Sequence, residues 1–308
     1  MCGIAGLFLK SPALEGSLGA LLAGMLDVLA GRGPDSTGFA IYGDEAAAPG
    51  MAAGDARVRL TLRGLAGADA PGLTRAVAAG LEGGDADLVL RDDHAVLLVP
   101  EAQEAAARAL IARVAPSARV VASGRRIELY KGVGLPAEVA TRFDLAAMRG
   151  THAIGHTRMA TESAVTVAAA HPFSTGPDQC LVHNGSLSNH NALRRTLRRE
   201  GLAFETENDT EVAAGYLTWR MRQGMTLEAA LAAALDDLDG FYTFVVATRT
   251  GFGVLRDPIA CKPAVMAETG DYVAFASEYR ALAGLPGIEA ARLFEPDAAR
   301  VYVWERAA

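Results

Sequence analysis

Strands at both ends of the chain, with a block of helices between them, predict an α+β fold of two sheets with helices outside. Three observations carry this. The apolar run IAGLFL at residues 4–9 reads as a buried strand, residues 188–237 read as three helices, and the tail from 241 alternates short β-rich segments. A stretch of different composition, DEAAAPGMAAGDA at 44–56, is rich in Ala, Gly and Pro, and opens an inserted α+β subdomain expected over about residues 44–149.

After the first strand, residues 14–30 carry Leu18, Leu21, Leu22, Met25, Leu26 and Leu29 on one stripe and predict a helix. GRGPDSTG at 31–38 is a turn-rich loop leading into the strand FAIY at 39–42. Within the insert, VRLTLR (58–63) predicts a strand, 71–82 a helix, 88–99 two strands about Asp92–His94, and 101–114 a second helix. RVVAS and RIELY predict a hairpin about Gly124. The body resumes with the strand THAIGHTR (151–158), and CLVHNG (180–185) predicts another ending in a sharp turn. Helices follow at about 188–200, 209–222 and 226–237, then strands at 241–248, 251–256, 263–268, 272–277 and 301–305.

Composition narrows the function classes. The 308 residues suffice for one large core or two modest ones. A formal net charge of -7, with no Lys/Arg run longer than two, offers no footprint for nucleic acid or an anionic membrane. The nearest approach, Arg194, Arg195, Arg198 and Arg199, fits the polar face of a helix. The opening MCGIAGLFL has no preceding positive charge and falls far short of the roughly 20 residues a membrane span needs, so no secretory signal or anchor is expected. Cys2, Cys180 and Cys261 are widely separated, which argues against a disulfide framework or zinc site and predicts a reducing, cytoplasmic setting. His152 and His156 lie on a predicted strand, about 13 Å apart, and do not suit a metal. Cys180 and Cys261 are expected as core fillers.

Cys2 is the first candidate for chemistry. Met1 is normally removed when the next side chain is small, leaving Cys2 with a free α-amine of reference pKa ~7.7–8.0. One residue can then supply nucleophile and base together. An ordinary second residue of a leader is the competing reading. Arg158 offers a planar fork suited to a carboxylate, or to a structural ion pair. Asp209 can pair with an ammonium, or cap the helix that follows. The Asn184 side chain and the Gly185 N–H can face a developing oxyanion, or form a plain Asn-Gly turn.

MCGIAGLF at the start, RGPDS at 32–36, GHTRMAT at 155–161, HPF at 171–173, HNGSL at 183–187 and NDTE at 208–211 together resemble the class II glutamine amidotransferases. GFYTFVV, LRDPIACKP and ASEYRAL in the tail resemble the same domain, so the likeness covers residues 1–43 and 150–308 and leaves the insert outside. The resemblance implies a four-layer αββα N-terminal-nucleophile hydrolase sandwich of two antiparallel sheets. It implies catalytic roles for Cys2, Asn184 and Gly185, and a glutamine clamp of Arg158 on the α-carboxylate and Asp209 on the α-ammonium. Thr161 and His171 would line the pocket, and Arg32 and Asp35 would organise the loop over Cys2. Met159, where many relatives carry an aromatic residue, is a departure that bears on the pocket wall and not on the chemistry.

The implied reaction is hydrolysis of L-glutamine to glutamate and ammonia through a Cys2 γ-glutamyl thioester. The glutaminase fold takes up most of the chain, so the acceptor of the ammonia is expected in another polypeptide. Length, insert and opening segment resemble the stand-alone amidotransferase subunit of glutamate-synthase-like systems such as N-methylglutamate synthase. That likeness implies a flavin- and iron–sulfur-linked partner and no cofactor in this chain. A free-standing hydrolase of γ-glutamyl amides or peptides, and a catalytically silent regulatory subunit, are the competing readings.

Overall fold

The structure, a computed structural model, describes residues 2–45, 56–65, 67, 69–84, 86–160 and 165–306. Strand β1 (Gly3–Leu9) is buried along its whole length. A 3-10 turn, capped by the Ser11 hydroxyl, leads into helix α1 (Leu18–Val28), which buries Leu18, Leu22, Met25 and Leu26 on the expected stripe. Strand β2 (Ser36–Tyr42) follows. Next come β3 (Arg57–Arg63), α2 (Ala70–Gly80), β4 (Asp87–Arg91), β5 (His94–Pro100), α3 (Glu104–Val114) and β6 (Arg119–Gly124). The chain continues through β7 (Ile127–Val133), α4 (Pro136–Arg142), β8 (His152–Arg158), β9 (Phe173–Gly176) and β10 (Gln179–Leu187). Helices α5 (His190–Arg199), α6 (Asp209–Arg222) and α7 (Leu227–Asp237) precede β11 (Gly240–Ala247) and β12 (Gly251–Arg256). The last strands are β13 (Val265–Glu268), β14 (Tyr272–Ala276), β15 (Arg292–Phe294) and β16 (Val301–Glu305).

These strands form three sheets, ordered β15-β13-β14-β1-β8-β2-β7, β16-β12-β11-β10-β9 and β4-β5-β3-β6. The alternation of side chains in β1 shows how the first two stack. Ala5, Leu7 and Leu9 face a core shared with Leu22 and Leu26 of α1. Ile4 and Phe8 face the other way, into a core shared with Val182 of β10, Val245 of β11 and Phe252 of β12. The far face of the second sheet, with Leu181, Phe244 and Val246, packs on Val212 and Leu217 of α6 and Leu231 of α7. The order is therefore helix, sheet, sheet, helix, the four-layer αββα arrangement. Each fully buried Leu, Val or Phe contributes about 1.5–3 kcal/mol to this packing. The third sheet has its own core, in which Leu60 and Leu97 meet Leu73 and Val77 of α2 and Ile111 of α3.

Four expectations change. RVVAS and RIELY do not pair as a hairpin: β6 pairs with β3 in the third sheet, whereas β7 pairs with β2 in the first. The chain crosses between sheets at residues 125–127, where both carboxylate oxygens of Asp178 accept the backbone N–H groups of Arg125, Arg126 and Ile127. Of the stretch 44–149, residues 57–124 thus build the third sheet, while β7 joins the first sheet and α4 packs beside α1 through Val139. Second, β10 does not end at Asn184-Gly185 but runs on to Leu187, paired with β11 throughout. Third, Cys261 is exposed; only Cys180 is a core filler, its thiol pushed up to about 12 by burial. Fourth, Arg194 leaves the polar face of α5 and is buried, donating to Glu207, to the Asn208 carbonyl at 3.1 Å and to Asn191 at 3.0 Å.

Candidate active site

The site forms where β1, β8 and β10 end together and the N-terminus of α6 meets them. Cys2 directly precedes β1, whose first residue, Gly3, pairs with Thr157 of β8. Carried one step further, that antiparallel register puts Cys2 beside Arg158, the last residue of β8 and only 6% exposed. The Cys2 carbonyl accepts two side-chain hydrogen bonds, from Arg32 Nε at 3.0 Å and from Asn184 Nδ2 at 3.2 Å. The second reaches across from the other sheet, so the Asn184 amide and the Cys2 backbone hold the two sheets together at this end.

Arg32 is fixed in turn by Glu278, whose Oε1 lies 2.8 Å from its Nη1. Gly33 lets this loop close over β8: a Cβ there would lie 2.3 Å from the Thr157 carbonyl carbon. Asp35 grips the end of β8 from both sides. Its N–H donates to the Arg158 carbonyl at 3.1 Å, and its Oδ2 accepts the Ala160 N–H at 2.7 Å. Arg32 and Asp35 therefore brace the two backbones that carry Cys2 and Arg158.

Asn184 and Gly185 lie opposite Thr243 and Tyr242 in β11. Gly185 has φ 152°, and a Cβ there would fall 2.0 Å from the Phe241 carbonyl oxygen, so the sequence needs glycine at this point of the strand. Asp209 opens α6 but is not its cap. Asn208 caps the helix, its Oδ1 accepting the Thr210 N–H at 2.8 Å. Asp209 Oδ2 instead accepts the Leu187 N–H at 2.9 Å, which ties the helix to the end of β10.

Behind these residues lies a buried cluster of histidines. His171 Nε2 is 2.6 Å from the Thr210 hydroxyl, and His183 Nδ1 is 3.0 Å from the same oxygen. His156 donates through Nε2 to the His183 carbonyl at 3.1 Å and stacks on His171 with ring centroids 4.1 Å apart. Burial holds all three below the usual histidine range, with His156 at about 3, so they are neutral at pH 7. His171, expected in the pocket wall, is only 6% exposed and sits in this cluster behind Asp209. Thr161 lies outside the described residues. His152, on the same strand as His156, stacks on Tyr42 and bonds the Thr248 carbonyl at 2.8 Å. Among the described residues no group of three His, Cys, Asp or Glu is placed to hold a metal.

The structure thus brings Cys2, Arg32, Asp35, Arg158, Asn184, Gly185 and Asp209 to one end of the sandwich. The sequence reading gave no role to His183, Thr210 and Glu278, although each stands inside a motif that signalled the site: HNGSL, NDTE and ASEYRAL.

A glutamine amidotransferase domain model matches residues 156–284. A glutamine amidotransferase-like protein, GlxB, of Rhizobium meliloti is 56% identical over 306 residues, covering 99% of this chain and 98% of that relative. A putative glutamine amidotransferase of Methanothermobacter thermautotrophicus is 36% identical over 313 residues, covering 98% and 99%. Among solved structures, glutamine phosphoribosylpyrophosphate amidotransferase from B. subtilis superposes with a TM-score of 0.61 at 21% identity, over 99% of this chain and 47% of that one. This chain therefore spans about half the length of that enzyme and shares its fold. With two full-length relatives of one kind and the N-terminal-nucleophile fold in common, the chain belongs to the class II glutamine amidotransferases, enzymes that act on carbon–nitrogen amide bonds.

Proposed function

We propose that this chain hydrolyses L-glutamine at Cys2 and hands the ammonia to a separate synthase subunit. The observation that carries the reading is the hydrogen bond from Asn184 Nδ2 to the Cys2 carbonyl, which sets an amide donor beside the nucleophile. Arg158, at the end of β8, and Asp209, at the start of α6, supply opposite charges, as an amino acid's carboxylate and ammonium require. The Cys2 sulfur adds to Cδ of glutamine while its proton passes to the α-amine of Cys2. The negative oxygen formed on Cδ is met by Asn184 and the Gly185 N–H. The C–N bond breaks, the amine returns its proton to the leaving nitrogen, and ammonia departs from a γ-glutamyl thioester. Water then cleaves the carbon–sulfur bond, giving glutamate and the free thiol.

The partner reading starts from what the fold contains. Among the described residues, three sheets and their helices take up the chain, and the resemblance to stand-alone subunits of glutamate-synthase-like systems names a flavin- and iron–sulfur-linked synthase as the ammonia acceptor. None of the residues gathered around Cys2 belongs to the third sheet, which makes that sheet the candidate docking element. A cytoplasmic setting fits the free thiols.

Two measurements test this. Intact-mass analysis of the native protein should show Met1 removed, and a non-cleavable N-terminal extension should abolish glutamine hydrolysis with an unchanged circular dichroism spectrum. An active extended protein would sink the mechanism. Affinity capture should recover a flavoprotein synthase whose acceptor raises the low basal glutaminase rate. Full turnover by the isolated chain, with no partner captured, would favour the free-standing γ-glutamyl hydrolase.

A further inference from the structure

A cavity of about 460 Å³ lies between the third sheet and the second. Its walls are β6 from Val120 to Ser123, β9 from Phe173 to Gly176, and the loop from Gly201 to Thr206. None of Cys2, Arg158, Asn184 or Asp209 lines it, so it is separate from the glutamine site. Four basic side chains do: Arg63 from β3, Arg108 from α3, Lys131 from β7 and Arg222 from the end of α6.

Lys131 is the unusual one. It is 5% exposed, and its Nζ stands 4.0 Å above the ring of Phe173, with no carboxylate bonded to it among the described residues. Arg63 buries its Nε without a hydrogen-bond partner. Two acids share the cavity, Glu205 and Glu211. Glu211 is already engaged: its carboxylate accepts the N–H groups of Glu205 and Thr206, each at 2.8 Å, and the Thr206 hydroxyl at 2.7 Å. Arg108 is paired with Glu104 at 2.8 Å, so Arg63, Lys131 and Arg222 face Glu205 and Glu211, three positive charges against two negative ones.

We propose that this cavity binds a small organic anion, a metabolite bearing a phosphate or a pair of carboxylates. A buried ammonium is costly unless a counter-charge joins it, and burial, with the Arg63 charge added, pulls Lys131 down to about 7. An anion between Lys131 and Arg63 supplies that counter-charge and satisfies the orphaned Arg63 Nε. Val120, Val121 and Ala122 offer an apolar wall for the carbon body, and the volume falls within the usual range for small-molecule sites, about 300–1,000 Å³. The cavity is also wired to the catalytic end. Phe173 meets His171 edge-on at 5.3 Å, and α6 carries Asp209 on the glutamine side and Glu211 on the cavity side.

The test is thermal unfolding and calorimetric titration of the full chain with pyrophosphate and, separately, succinate, against sodium chloride at equal ionic strength. A saturable rise in Tm with either probe is expected, and the probe that acts tells a phosphorylated ligand from a dicarboxylate. Lys131→Met and Arg63→Gln should each weaken binding at least tenfold, while Arg195→Gln on exposed α5 should leave it unchanged. Should Lys131→Met fail to fold, Arg222→Gln at an exposed position takes its place with the same expectation. No response beyond the chloride control, or equal responses in wild type and all cavity variants, overturns the proposal.

Discussion

Asn184 and Arg158 stand on different sheets and should fail in different ways. Asn184→Ala removes a donor needed chiefly when the oxyanion forms, so kcat should fall by roughly 10²–10³ with little change in KM. Arg158→Lys keeps the charge but loses the bidentate fork, so KM for glutamine should rise roughly 10–100-fold with kcat largely kept. Steady-state kinetics separates the two, and equal effects on KM alone would reject both assignments. Gly185→Ala tests the backbone itself. With φ at 152° and the Phe241 carbonyl 2.0 Å from the new Cβ, unfolding stability should drop by about 3 kcal/mol, read as a lower urea midpoint. At this scale the sequence was most informative, because chemistry demands residue types in short contiguous motifs: MCGI, GHTR, HNGS and NDTE each placed a residue at the site. What those motifs did not reveal was the residue that holds Arg32, itself expected to organise the loop over Cys2. Arg32 reaches the Cys2 carbonyl only because Glu278, 246 residues along the chain, holds it.

Among the elements, α6 joins stability to the proposed glutamine clamp, since it starts at Asp209. Asn208→Ala should cost about 1 kcal/mol through loss of the cap and should raise KM with kcat nearly unchanged, because Asp209 is the first residue of the helix whose N-terminus Asn208 caps. A stability loss with an unmoved KM would separate the cap from the clamp. The third sheet offers a different experiment. Tyr42 of β2 pairs directly with Ile127 of β7, so the two strands would form a hairpin if the residues between them were excised. Replacing residues 44–125 with Asn-Gly, a two-residue turn suited to such a hairpin, should preserve the αββα body and basal glutamine hydrolysis while weakening capture of the synthase. A protein that no longer folds would make the third sheet integral to the core. The same pairing explains why the sequence misled about β6 and β7. Gly124 marks a reversal, but Gly124 pairs with Arg59, 65 residues back, and Ile127 with Tyr42, 85 residues back, and local turn signals carry no information on that. Helix α4 and the short strands β9 and β15 escaped for a related reason: they are brief, and tertiary neighbours rather than periodicity define them.

For the molecule as a whole, buried histidines set the response to acid. His152 and His156 are each held at about 3 by burial, against an ordinary value near 6.5. The unfolded chain protonates them below pH 6.5 and the folded one resists, so stability is fully present above that pH and falls as pH drops toward 3. Each contributes a slope of at most about 1.4 kcal/mol per pH unit. Urea midpoints should be flat from pH 7 to 8 and fall steeply from 6.5 to 4, more gently in His152→Gln. The layered architecture itself was legible in the sequence, because runs such as IAGLFL and the periodic stripe of α1 declare which elements lie inside. Sheet order was not, since it is a property of distant pairs. That order has a consequence in time. The first strand synthesised is a central one, and its neighbours are β8, reached near residue 152, and β14, reached at residues 272–276. At ribosomal rates of about 5–20 residues per second, Cys2 waits roughly 15–60 s for the flank that completes its sheet. Until β8 is made both edges of this apolar strand are open, and from then until β14 one edge stays open, a hazard for aggregation and a target for chaperones. The nascent chain thus holds Cys2 without its complete sheet until residues 272–276 have been made.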